Sequence, residues 1–287
     1  MAFHSQLAFV FLVLADFVHS FDLSTCSQDS IWFTYPVPRE VLLAWMKHQL
    51  GDTGMKELAL ETPDEYGDQH PVQIEFDTNT KCSSMKFLPY PDFQEIVVQI
   101  PYVRFRGKLI RFQPWALVDN IPGEMAMALL GSGHKKAQPF TVSYGPSPAI
   151  WNQVAEVSGN TAFQVSAEVK DVPVTNFQPH VALQQKDKVW REFMDTKMAT
   201  FVGHTWTGYC CSQIAYNLAS TQVAPISNGT VNITGNGQFL PVDIHTSVKG
   251  LRAYAVRTQF TVKLNSCPRE ESDAKEGKTS SGDMFVV

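Results

Sequence analysis

The sequence is short of positive charge, of metal-ligand spacings and of apolar runs that could cross a membrane. Its 287 residues carry 23 Lys and Arg against 28 Asp and Glu, a formal net charge of −5. No basic footprint results, which argues against nucleic acid as a partner. The five cysteines, Cys26, Cys82, Cys210, Cys211 and Cys267, show no CxxC pairs or histidines at ligand spacing. No zinc or other metal site is therefore expected. The longest apolar run, Leu7 to Leu14, is too short to span a bilayer, and no later segment is longer. Internal repeats and a Pro/Gly/Ser-rich linker are also missing, so residues 24–266 read as one domain. With 44% hydrophobic and 18% charged residues, the chain is an ordinary globular one.

What is present begins with a secretory signal over residues 1–20, an apolar core followed by Val18-His19-Ser20, although its start carries no Lys or Arg. The expected location is secreted or the endomembrane lumen, without stable membrane insertion once the signal is removed. Two sequons, Asn228-Gly229-Thr230 and Asn232-Ile233-Thr234, fit a glycoprotein. An oxidising lumen predicts one or two disulfides, with Cys210 or Cys211 to Cys267 the favoured pairing. An odd number of cysteines leaves one free or shared with another chain.

Pro36 and Pro38 precede an amphipathic helix over 39–50, whose stripe is Val41, Leu42, Trp45 and Met46. Residues 51–70 read as an acidic loop and 72–76 as a short strand. Phe93 to Phe105, a turn at Gly107 and Leu109 to Val118 read as a hairpin. Further strands are expected over 161–169, 199–202 and 251–264, and short helices over 189–195 or 211–218. The charged, Ser- and Gly-rich tail over 268–287 is expected to be disordered. The fold class is α+β, β-rich, with few helices.

The chemistry centres on Lys135 and Lys136, which follow a largely apolar stretch with no Lys or Arg after Arg111. A lysine in a dry pocket beside another cation loses stability as an ammonium, and a neutral amine attacks carbonyls. Adjacent strand residues face opposite sides, so both reach one pocket only if the backbone bends, which Gly131 and Gly133 permit. Phe93, Glu95 and Val97 share one strand face, which sets the Glu95 carboxyl among apolar neighbours.

Taken together, Phe93-Gln94-Glu95, Ile100-Pro101, Phe105-Arg106-Gly107, Leu117-Val118-Asp119-Asn120, Pro122 and His134-Lys135-Lys136 resemble the acetoacetate decarboxylase family in order and spacing. The resemblance implies a curved double sheet, or a closed barrel-like one, that encloses a pocket, and an oligomerising chain, hence a homo-oligomer. It also implies a cofactor-free decarboxylase or related carbon–carbon lyase acting on a β-keto acid or similar small carbonyl compound. Lys135 would be the imine-forming nucleophile, Lys136 its tuning neighbour, Glu95 the proton shuttle and Glu75 a second acid. The family's Gly-Arg-Glu element is replaced by Met127-Ala128-Leu129, and His134 stands where the family has proline. No arginine lies between Gln28 and Tyr35, which leaves Arg39 as a poor substitute. These departures support an alternative, a non-catalytic secreted binder that uses the same pocket for a small apolar ligand.

Overall fold

A computed structural model describes residues 22–84, 88–89, 91–118, 134–136, 141–144, 150–159, 163–173, 177–187, 190–191, 194, 200–205, 208–235, 240–247, 249 and 251–264. The signal segment, the tail over 268–287, the turn over 119–123, the apolar stretch over 124–130 and Cys267 lie outside these residues.

The chain is built from strands. β1 (Asp22–Pro38), β3 (Gln69–Ser84), β5 (Phe93–Phe105) and β6 (Lys108–Val118) lie side by side in the order β1-β3-β5-β6. The path continues through β12 (Thr200–Thr205), β13 (Gly208–Tyr216) and β17 (Arg252–Leu264) to β14 (Gln222–Ile226) and β11 (Gln178–Pro179). β17 also pairs with β1. The strands therefore curl round an interior, but they do not make the uniform closed barrel among the expectations. Among the described residues β6 meets β12 through only three parallel pairs, Phe201 with Arg111, Val202 with Phe112 and Gly203 with Gln113. β14 and β11 run off β17 as an open extension. Short strands β2 (Leu58–Leu60), β4 (Leu88–Pro89) and β7 (His134–Lys136) pair with β5, β3 and β6. A second sheet holds β8 (Thr141–Tyr144), β9 (Ile150–Gly159), β10 (Phe163–Pro173), β15 (Thr230–Gly235) and β16 (Ile244–Ser247).

The predicted hairpin is β5–β6. Arg106 (φ 47°) and Gly107 (φ 79°) both have positive φ, the signature of a type I′ two-residue turn. The predicted helix is α1 (Arg39–Met55), which Pro38 introduces with φ −51°. It buries Leu42, Trp45 and Met46 and runs beyond the expected end through a kink at Gly51 (φ 68°). A second helix, α2 (His180–Lys186), is short. Residues 211–218 are not helical as expected: 208–216 form β13.

The large sheet is buried on both faces. Ile31, Phe33, Ile74, Phe76, Ile96, Val98 and Phe112 join the α1 residues and Val231, Ile233 and Ile244 of the second sheet in one apolar core. The opposite, inner face mixes polar groups with Trp32, Trp190, Tyr216, Tyr254 and Phe260. Cys26 and Cys82 form a disulfide across β1 and β3, a pairing that sequence spacing did not indicate. Cys211 is also disulfide-bonded, and the expected partner Cys267 lies outside the described residues.

Candidate functional site

Strand alternation assigns the inner face. On β3, Val72, Ile74 and Phe76 enter the apolar core. The intervening Gln73, Glu75, Asp77 and Asn79 are buried on the other side. β1 contributes Gln28, Ser30 and Trp32 to that side, and β5 contributes Glu95, Val97 and Gln99. Glu75 is thus buried, and Glu95 is buried on the strand face that also carries Phe93 and Val97.

β6 needs one more step. Val98 pairs with Trp115, yet Ile100 pairs with Phe112, so β6 carries one extra residue in between. A bulge of this kind accommodates Pro114, which has no N–H for the ladder. It shifts the alternation so that Phe112 and Ile110 fill the apolar core while Arg111 and Gln113 turn inward. A second bulge on β5, containing Pro101 and Tyr102 (φ 54°), restores the register at Val103 and Ile110.

One cross-sheet row joins the candidate residues. Ser30 pairs with Asp77, Asp77 with Glu95, Glu95 with Val118, and Val118 with Lys136. Lys135 pairs with Leu117 instead, in the next row with Ile96 and Phe76. The backbone thus sets Lys136, one position on from Lys135, in register with the carboxyls.

Three carboxyls share the buried face, and their surroundings differ. The Asn79 side-chain amide donates to Glu95 Oε1 at 2.8 Å. Asp77 is raised well above the ordinary carboxyl range, first by burial and then by the charge of neighbouring Glu95. The Ser30 hydroxyl, the Trp32 indole and Arg111 pull it the other way. The balance favours Asp77 as the protonated acid beside Glu95, an arrangement suited to proton storage.

Arg111, fully buried, is the residue that sequence reasoning missed. Burial lowers it from its usual value, opposed by Tyr216 and then Asp77. Burial likewise holds the Tyr216 hydroxyl protonated, above its ordinary range. Tyr216 packs edge-on against Trp32, ring centroids 5.5 Å apart, and Trp32 stacks on Trp190 at 6.0 Å. The signal for Arg111 was available: it is the lone charge inside Leu109-Ile110-Arg111-Phe112, an otherwise apolar strand. Arg39, the substitute suggested by sequence, is exposed on α1 with its guanidinium 3.5 Å from the Leu60 carbonyl, and contributes nothing to this face. No group of three or more metal-ligating side chains occurs among the described residues.

No family model matches the sequence, and no curated protein matches it. Solved structures do. An acetoacetate decarboxylase from Legionella pneumophila is 10% identical, with 84% of each chain covered and a TM-score of 0.50. An acetoacetate decarboxylase-like enzyme from Sphingomonas wittichii RW1 is 10% identical over 86% of this chain and 94% of its own, at 0.50. A further acetoacetate decarboxylase structure is 11% identical over 84% and 87%, at 0.52. At such identities the likeness is one of fold: the chain adopts the acetoacetate decarboxylase-like fold.

Proposed function

We propose that the chain is a cofactor-free, imine-forming decarboxylase or related carbon–carbon lyase that acts on a keto acid. One observation carries the reading: a buried row of Asp77 and Glu95 in register with the lysine-bearing strand β7. The lysine amine adds to the substrate carbonyl and water leaves, giving an imine that takes a proton to become an iminium. The carbon–carboxylate bond then breaks, its electron pair moves to the iminium nitrogen, carbon dioxide departs and an enamine remains. An acid of the Asp77–Glu95 pair returns a proton to the enamine carbon. Water then hydrolyses the new iminium, which frees the ketone and restores the amine.

The motif resemblance assigns the amine to Lys135, whereas the register favours Lys136 because strand rows alternate. Sodium borohydride reduction with acetoacetate, followed by peptide mass mapping, separates the two. We expect an adduct within the peptide that carries both lysines, lost in one of Lys135→Met and Lys136→Met and kept in the other. Absence of an adduct at either lysine would overturn the reading. Carbon dioxide release then divides a decarboxylase from other lyases. The secreted or lumenal location is retained in this proposal, supported by the Cys26–Cys82 bridge, since disulfides persist in oxidising compartments.

A further inference from the structure

We infer that Arg111, with Gln113 beside it, anchors a ligand carboxylate that survives the reaction, so the substrate is an oxo acid bearing a carboxylate other than any that leaves. The carbonyl half of this statement rests on the imine reading; the anchor stands on its own geometry. A guanidinium does not shed its charge when buried. Arg111 is fully buried, its guanidinium faces the Tyr216 hydroxyl and Asp77, and none of its three nitrogens makes a hydrogen bond of good geometry to them or to any other described residue. Its carboxyl neighbour Asp77 is a weak counter-ion, because burial and Glu95 favour the neutral acid. A buried cation left in this condition is strongly destabilising unless an anion joins it.

The donors point to the class of anion. The Gln113 Nε2 also lacks a partner among the described residues, while Gln113 Oε1 lies 3.4 Å from the Gln99 Nε2 that donates to it. Arg111 and Gln113, two residues apart on β6, thus present a planar fork and an amide N–H to one side. A carboxylate accepts both, and the fork binds it bidentately. That carboxylate is not the one lost. Decarboxylation moves negative charge away from the carboxylate, so a guanidinium there would stabilise the bound substrate more than the transition state. A purely apolar ligand would leave the fork unmet.

The test uses levulinate, a ketone whose carboxylate is too far from the carbonyl to be lost through an enamine, against 2-pentanone, which lacks the carboxylate. Borohydride trapping on the full chain is expected to half-saturate at roughly tenfold lower levulinate than 2-pentanone. Arg111→Gln should collapse that ratio towards one, and Arg111→Lys should leave it intermediate because a point charge replaces the fork. Equal trapping of both ketones by the wild type would overturn the anchor and leave the imine reading standing. If neither ketone is trapped, the imine reading falls. The anchor is then read from the thermal midpoint: levulinate must raise it in the wild type and not in Arg111→Gln, and no rise in the wild type overturns the anchor. If Arg111→Gln does not fold by near-UV circular dichroism, Gln113→Leu and Arg111→Lys carry the test. Each should weaken levulinate several-fold, and no change in either overturns the inference.

Discussion

At the residue scale, the inner face is costly to build and therefore informative. Glu95 can be tested directly. If it or its partner Asp77 moves protons, Glu95→Gln should slow turnover by about 10²- to 10⁴-fold while borohydride trapping persists; steady-state and trapping assays read the two effects separately. A residue outside the site gives a stability signature. His70 is fully buried, with Nε2 2.8 Å from the Pro101 carbonyl and Nδ1 2.8 Å from the Thr62 hydroxyl. A carbonyl only accepts, so Nε2 carries the proton and Thr62 donates to Nδ1 in the neutral ring. Burial first, against the Pro101 bond, pushes His70 down to about 4 from an ordinary 6.5. The unfolded chain then binds the proton more readily than the folded one between those values. Stability is therefore full above about 6.5 and falls as the pH drops towards 4, by something on the order of 3 kcal/mol. Thermal melts across this window should show the slope, and His70→Gln should flatten it. Glu95 was legible in sequence because its neighbours alternate cleanly. Arg111 stood out as a charge in an apolar run, but its inward direction was not legible, because the Pro114 bulge sets it and a bulge is invisible to a period-two reading.

At the scale of elements, the hairpin β5–β6 and helix α1 were legible because their turn and cap residues act locally. Gly107→Ala should cost about 1 kcal/mol in urea unfolding, since φ 79° strains any side chain. β1 was missed for an instructive reason. Its Ser24, Gln28, Ser30 and Thr34 are buried polar positions, so the first half of the strand offers no hydrophobic alternation to read. The acidic stretch after Leu50 was read as loop because Gly51 marks a helix end, whereas the helix kinks there and resumes. The Cys26–Cys82 bridge ties β1 to β3 across a separation of 56 residues. A loop of that size predicts a loss of about 4 kcal/mol for Cys26→Ser with Cys82→Ser on the chain-entropy view, checked by denaturant unfolding.

At the scale of the whole molecule, the curled sheet has one thin seam. β1 and β3 pair from Ser24 to Pro38, but among the described residues β6 and β12 pair only over Arg111 to Gln113. Hydrogen exchange should therefore be faster for amides at 111–113 and 201–203 than along β1 and β3. The overall β-rich class was legible from strand-like runs. The motif resemblance supplied the curved sheet, whereas the strand order was not legible, because it depends on β17 meeting both β1 and β13, a pairing between distant segments. The seam falls on the same stretch whose inward turn Pro114 creates. One supernumerary residue there sets the parity of everything before it in the strand. Deleting it would exchange inside for outside, driving a guanidinium towards Phe76 and Ile100 and exposing Phe112 to the carboxyls. Substitutions around this point can be absorbed one at a time, but the count of residues cannot change by one without turning the chamber inside out.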